Sequence, residues 1–494
     1  MKLITKQRML AFLGAFVIGA GVTRSDSQSK SALKSETFDR DPGWEGHNNR
    51  IVPKNVPTVT QDFGYSANTH FAGKEAGEMG GQVWRSTTPA FYAAKIPART
   101  LNDKLSASGT FAITAPAGSA GVFFGWFDST KPPSGGRPLG SLGLNINCEK
   151  AGGQLAVRLI AGSNKACGTF ITPFTPGPTH GWYTPLKKDV RFSWTLSYDP
   201  AANNGNGRFQ FTIRSHRDKH EEWEGKTFSV DVPPEVRKDG ATFDHFGLVN
   251  LGKGGNSMSI YFDDLEYDGK KEDFSRDPGW DASGNRVKFQ EPEPAGAHNY
   301  GFSADTNHAG GKAGEIGGAF WRTEKNFGYY ADRVGPLTLA DRLEASGKVM
   351  LAIGGPDSDM RFGWFSSEGK KEDKPFDGSN FVGIAIGGPT RVGHYFQPTC
   401  ATAKGTRRRA GKGPLLVPGK LYEWSFLYDP AGNNGQGSMQ VTLGGESVTL
   451  DLKRGDKQEG ARLDRFGLVS TRPGGGIVKI WFDDLQYTAG PSSR

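Results

Sequence analysis

Residues Arg191–Ile213 read RFSWTLSYDPAANNGNGRFQFTI, and residues Trp424–Leu443 read WSFLYDPAGNNGQGSMQVTL. In the first stretch Phe192, Trp194, Leu196 and Tyr198 alternate with Arg, Ser, Thr and Ser. A period of two is the mark of a strand with one buried face. Asp199-Pro200 ends that strand, because proline has no N–H for the ladder and aspartate closes local turns. The Asn/Gly run tolerates positive φ, and a second alternating run starts at Arg208. The stretch therefore predicts an antiparallel hairpin. Its return in the second half predicts a duplicated unit.

Other phrases recur in the same order. ETFDRDPGWEGHNNR at Glu36–Arg50 matches EDFSRDPGWDASGNR at Glu272–Arg286, and AGEMGGQVWRS at Ala76–Ser86 matches AGEIGGAFWRT at Ala313–Thr323. IYFDDLEY at Ile260–Tyr267 matches IWFDDLQY at Ile480–Tyr487. Each unit is of domain size, far longer than the roughly 20–50 residues of a solenoid repeat. The units are placed at 35–268 and 271–488, joined by the short link DGKKED. Residues 25–34 read as a polar tether and 489–494 as a tail.

The 494 residues exceed one ordinary core. Seventy glycines with many aromatics favour short strands joined by turns. The net charge of +8 is modest for this length, and no zinc-finger, RRM or helix-turn-helix pattern occurs, so nucleic acid is not an expected partner. The sharpest basic cluster is Lys404, Arg407, Arg408, Arg409 and Lys412. It reads as a solvated loop, or as a contact for an acidic polysaccharide or lipid headgroup.

Lys2, Lys6 and Arg8 precede the apolar run Met9–Val22. Residues 1–24 thus read as a signal peptide or N-terminal anchor, with a secreted or cell-envelope location and no other membrane span. Export permits a disulfide, and Cys148 with Cys167 is the one pair inside a single unit, Cys400 standing alone in the other.

Short strands, glycine-rich turns and this domain size predict an all-β chain of two homologous antiparallel β-sandwiches in tandem. The closing phrases YFDDLEY and WFDDLQY, with the openings ETF…W and EDF…W, resemble the last and first strands of jelly-roll carbohydrate-binding modules and of laminin-G or concanavalin-like sandwiches. The phrase GE(M/I)GG…WR is similar to one in tandem secreted bacterial proteins. In the modules so resembled, a structural Ca²⁺ is held by acids of the first and last strands. The resemblance therefore implies Glu36, Asp263, Asp264, Glu272, Asp483 and Asp484 as candidate ligands, since Ca²⁺ takes six to eight oxygens. Met258, Ile260 and Phe262 share one face of the last strand, and continuing it leads to Asp264, with Asp484 as its counterpart. Arginine pairing, by Arg50, Arg85, Arg286 or Arg322, is the competing reading of those acids.

Read as a strand, GEMGGQVWR puts Met79 and Val83 on the core face and Glu78, Gly80, Gln82 and Trp84 on the outer face; Glu315 and Trp321 repeat the pattern. A carboxylate, bare backbone and an indole are the parts of a sugar site, and equally of a strand crossing. Glu78, Trp84, Glu315 and Trp321 are the candidate ligand contacts on the first reading. DPGW with Asn49-Arg50 or Asn285-Arg286 reads as a turn with a stabilising network. No ExDxxE strand, G-x-S-x-G or H-E-x-x-H motif occurs, and His70 and His308 align one place apart. The expected function is glycan binding or extracellular interaction, with a polysaccharide hydrolase or lyase and a ligand-free structural envelope protein as alternatives.

Overall fold

The computed structural model describes residues 32–490, except 52, 132–136, 149–154, 166–168, 172–183, 218–224, 226, 253–254, 295, 322–326, 356–357, 369–378, 391–392 and 472–475. Residues 1–24, read as a signal peptide or anchor, and Cys167 lie outside the described residues, as does Arg322.

The hairpin is present as read. Trp194 faces Ile213 and Asp199 faces Arg208 across the ladder, and Trp424 faces Leu443 in the second copy. Alternation along such strands builds four antiparallel sheets of eight or nine strands, which pack in pairs as two sandwiches. One sheet of the first sandwich runs Thr227–Asp231, Arg208–Ser215, Arg191–Asp199, Leu105–Pro116, Ser257–Tyr267, Glu78–Trp84, Thr58–Ser66, Arg286–Gln290. Its partner centres on Ala120–Phe127, Ser141–Cys148 and Thr242–Asn250. Phe111, Phe124, Trp126, Trp194, Phe211 and Phe262 fill the space between them. The second sandwich repeats this around Phe362, Trp364, Trp424, Phe466 and Phe482.

The sandwiches do not coincide with the sequence repeats. The link DGKKED is a hairpin turn: Asp268 and Gly269 have φ of +48° and +82°, as a two-residue type I′ turn requires. Lys270–Glu272 folds back onto Ser257–Tyr267 of the first sandwich. Phe274 and Trp280 enter the first core, and Arg286–Gln290 pairs with Thr58–Ser66. The head of repeat two thus completes the body of repeat one. Conversely, Ala32–Glu36 pairs with the last strand Ile477–Gly490, and Glu45–His47 with Tyr329–Thr338. Phe38 and Trp44 enter the second core, where Trp44 lies 5.7 Å from Tyr330 and 6.0 Å from Tyr487. Residues 32–34 and 489–490, read as tether and tail, are therefore strand, because each supplies the other's ladder partners.

The Asn-Arg phrases stitch these heads in place. Asn285 Nδ2 donates to Phe63 O at 2.6 Å and Arg286 Nη2 to Tyr65 O at 2.8 Å. Asn49 and Arg50 donate to Tyr300 O and Phe302 O at 2.6 and 2.5 Å. The network read as turn-stabilising thus spans the two repeats.

Candidate functional site

The AGE(M/I)GG strand lies next to the last strand of its sandwich. Met79 and Val83 face the core as read, and Glu78 is on the outer face. Its exposure is not as expected: both Glu78 and Glu315 are fully buried. A loop folds over each, residues 67–77 over Glu78 and residues 304–314 over Glu315, and each carboxylate is occupied by its own loop. Glu78 Oε1 accepts from Phe71 N–H at 3.0 Å and Oε2 from Ala72 N–H at 2.7 Å. Glu315 accepts from His308 N–H at 2.9 Å and Ala309 N–H at 2.7 Å, and its Oε1 lies 2.7 Å from His308 Nδ1. These glutamates hold a loop; neither presents an open carboxylate. Trp321 is also sealed, beside Ala319, Ile353 and Ile477, while half-buried Trp84 donates from Nε1 to Gly255 O at 3.1 Å. Of the four residues read as ligand contacts, only Trp84 reaches solvent.

The loop presents a different group. Phe71 is 50% exposed, among the few large apolar side chains so placed in the described residues. Its ring leans on Tyr261 of the last strand, with centroids 4.7 Å apart and planes at 37°. In the second sandwich His308 takes the place of Phe71 and stacks flat on Trp481, at 4.9 Å and 4°. The double glycine explains the room for these rings. Gly80 faces Tyr261, and a Cβ there would meet Ile260 O at 2.2 Å and the Tyr261 ring at 2.8 Å. Gly317 stands in the same relation to Trp481. The repeated phrase therefore encodes a loop clamp and a bare strand beside an aromatic ring. Phe71 and His308 escaped the sequence reading because two unlike residues, phenylalanine and histidine, fill one position. The signal available was a ring-bearing residue seven places before the glutamate in both repeats.

The acids read as cation ligands are placed differently from expectation. A bulge at Asp263/Glu266 breaks the alternation, and Asp264 and Asp484 take φ of +50° and +51°. The bulge turns Asp264 and Asp484 to solvent, and the buried members are Asp263 and Asp483, each 4% exposed. Asp484 pairs with Lys348 at 2.6 Å, and Glu272 Oε1 accepts from Phe274 N–H at 3.3 Å. Glu36 sits opposite Leu485, on the other sandwich from Asp263. Among the described residues no three Asp, Glu, His or Cys side chains gather as a metal site. Of the arginines read as partners, Arg50 and Arg286 donate to Phe302 O and Tyr65 O and Arg85 donates to Ser119 O at 3.2 Å.

Asp263 lies beneath the display loop, where a Cβ on Gly73 would overlap its Oδ2; Gly310 covers Asp483 in the same way. Burial, and then the charges of Asp264, Glu78 and Asp273, push the Asp263 carboxyl up to about 7 against the opposing N–H of Asp264. Burial likewise pushes Asp483 up to about 6. The basic cluster at 404–412 is partly consumed: Arg408 forms a two-point pair with Asp456, and Arg409 binds Gln397 and Asp359. Cys148 is buried, and the buried thiol of Cys400 is pushed up to about 12.

The architecture is a pair of antiparallel β-sandwiches. Solved structures to which the chain is similar include mouse laminin α1 domains LG4-5, at 12% identity and TM-score 0.23, covering 90% of this chain and 100% of that one. Alginate lyase Aly36B matches at 10% identity and TM-score 0.25, over 39% of this chain and 88% of its own. Peanut lectin matches at 16% identity and TM-score 0.23, over 38% and 90%. No family model and no curated protein matches the chain. Among the described residues no helix is long and apolar enough to cross a membrane.

The loop clamp makes one firm expectation. Glu78→Ala leaves the Phe71 and Ala72 N–H groups without an acceptor in a closed site, a loss of about 2–4 kcal/mol. Urea unfolding should show that loss in the first sandwich, with faster amide exchange at residues 71–72. An unchanged midpoint would mean that the loop is held by other contacts.

Proposed function

We propose that the protein is exported by its N-terminal signal and binds glycans at the cell surface or outside it. The observation behind this reading is the half-exposed Phe71 ring, pinned at its own N–H by a buried carboxylate and laid against Tyr261. A fixed aromatic face costs little entropy to use and suits the C–H face of a sugar. The second sandwich carries His308 on Trp481 at the same place, so two contact points stand on one chain and act together through avidity.

Phe71→Ala is expected to lower retention on immobilised polysaccharides by about tenfold, the order of one lost stacking anchor. Thermal melting should be unchanged, because half the ring is already in water. Full retention by this variant would reject the display loop as the contact.

A further inference from the structure

The two display loops sit on faces that match strand for strand and differ in charge. In the first sandwich Arg191, Ala112, Tyr261 and Gly80 lie directly opposite one another across four adjacent strands. In the second the corresponding row is Leu421, Met350, Trp481 and Gly317. Arginine is thus replaced by a leucine that is 47% exposed. Three more basic groups surround Arg191. Its Nη1 donates to Gly73 O at 3.1 Å, which brings it against the loop next to exposed Lys74. His216 N–H donates to Arg191 O at 2.9 Å, and Arg214 faces Ser193 one step along the same outer face. Burial first, then the positive charges of Arg191, Lys74 and Arg214, hold His216 below the usual imidazole range, with Asp264 opposing. The positions matching Lys74, Arg214 and His216 in the second repeat are Gly311, Gly444 and Glu446.

We infer that the first sandwich takes an acidic glycan, whose carboxylate or sulfate group meets Arg191, Lys74 and Arg214 while a neighbouring sugar lies on Phe71. The inference rests on the glycan-binding reading and adds the charge of the ligand. Arg191 and Tyr261 are two strand spacings apart, about 10 Å. Guanidinium groups recognise planar carboxylates and sulfates by paired N–H donors. Of the described acids, Asp264 acts on His216, and Asp62 and the buried Glu78 act on Tyr261, while Asp189 is paired with Lys188 at 3.6 Å. Glu221, Glu222 and Glu224 follow in the chain, outside the described residues.

The test compares binding of the full exported chain to polygalacturonate, dextran sulfate and neutral dextran, from about 50 mM to about 0.5 M NaCl. The acidic polymers are expected to bind about tenfold tighter than dextran at low salt, with the advantage lost at high salt. Binding of polygalacturonate alone assigns a carboxylate, and binding of both acidic polymers assigns charge. Lys74→Ala with Arg214→Ala should remove that advantage at an unchanged melting temperature, since both side chains are exposed. Equal binding of acidic and neutral chains, still lost in Phe71→Ala, overturns the charge inference and leaves glycan binding standing. The charge inference falls equally if the double variant binds as the parent does. No binding of any polymer by the parent chain overturns both.

Discussion

Phe38→Ala, a change in the first repeat, is expected to destabilise the second sandwich by about 3–5 kcal/mol and to leave the first untouched. Phe38 is fully buried in the second core, 5.5 Å from Trp44. Removing its ring leaves a cavity that neighbours on a rigid sheet fill only in part. The loss should also free the Ala32–Glu36 strand, which is held by one edge of Ile477–Gly490. Hydrogen exchange read by mass spectrometry checks this: protection should fall across 299–490 and persist across 58–268. Phe274→Ala should give the mirror result, since Phe274 is fully buried in the first core. Loss of protection in 58–268 on Phe38→Ala would show that heads dock on their own repeat.

Asp263→Asn is expected to stabilise the first sandwich at and above neutral pH, by on the order of 3 kcal/mol. The sign follows from the raised carboxyl. Below about pH 4 the group is protonated in the folded and unfolded chain alike, and it has no effect. As pH rises toward 7 the unfolded chain gives up the proton while the fold retains it. The folded state then binds more protons, so stability falls with pH until about 7 and stays reduced above it. Asparagine keeps the oxygen that accepts from Asp264 N–H at 2.7 Å and cannot ionise. Chemical unfolding near pH 4 and near pH 8 should show no gain at the first and the full gain at the second. Asp483→Asn should behave alike in the second sandwich, with its window closing near pH 6. Destabilisation by Asp263→Asn at pH 8, erased by a chelator, would mean that a bound cation neutralises the carboxylate in solution.

The elements legible in the sequence were those set by local alternation. The Arg191–Ser215 hairpin, the core faces of the last strands and the core positions Met79 and Val83 all follow from a period of two. Exposure of Glu78 was not legible, because its cover is a loop whose path no periodicity records. The bulge at Asp263 was hidden for a related reason: one left-handed residue shifts which of two adjacent aspartates is buried, and both spell the same letter. The exchange of heads lay beyond reach of the repeat itself. The heads are near-copies, and each fits either body by the same apolar and hydrogen-bonding groups, so aligning them cannot say which body each one joins. Phe71 and His308 became comparable only once each was seen donating its N–H to Oε1 of a buried glutamate, Glu78 or Glu315.

The pairing of Ala32–Glu36 with Ile477–Gly490 also sets an order of events at birth. Among the described residues the first strand has its partner in the last, so residues 37–476 must be made before this seam can close. Loop closure over such a span is slow compared with hairpin formation. The first sandwich, by contrast, is complete once Gln290 has emerged. Until that seam closes the molecule is half finished and half open, with Phe38 and Trp44 uncovered.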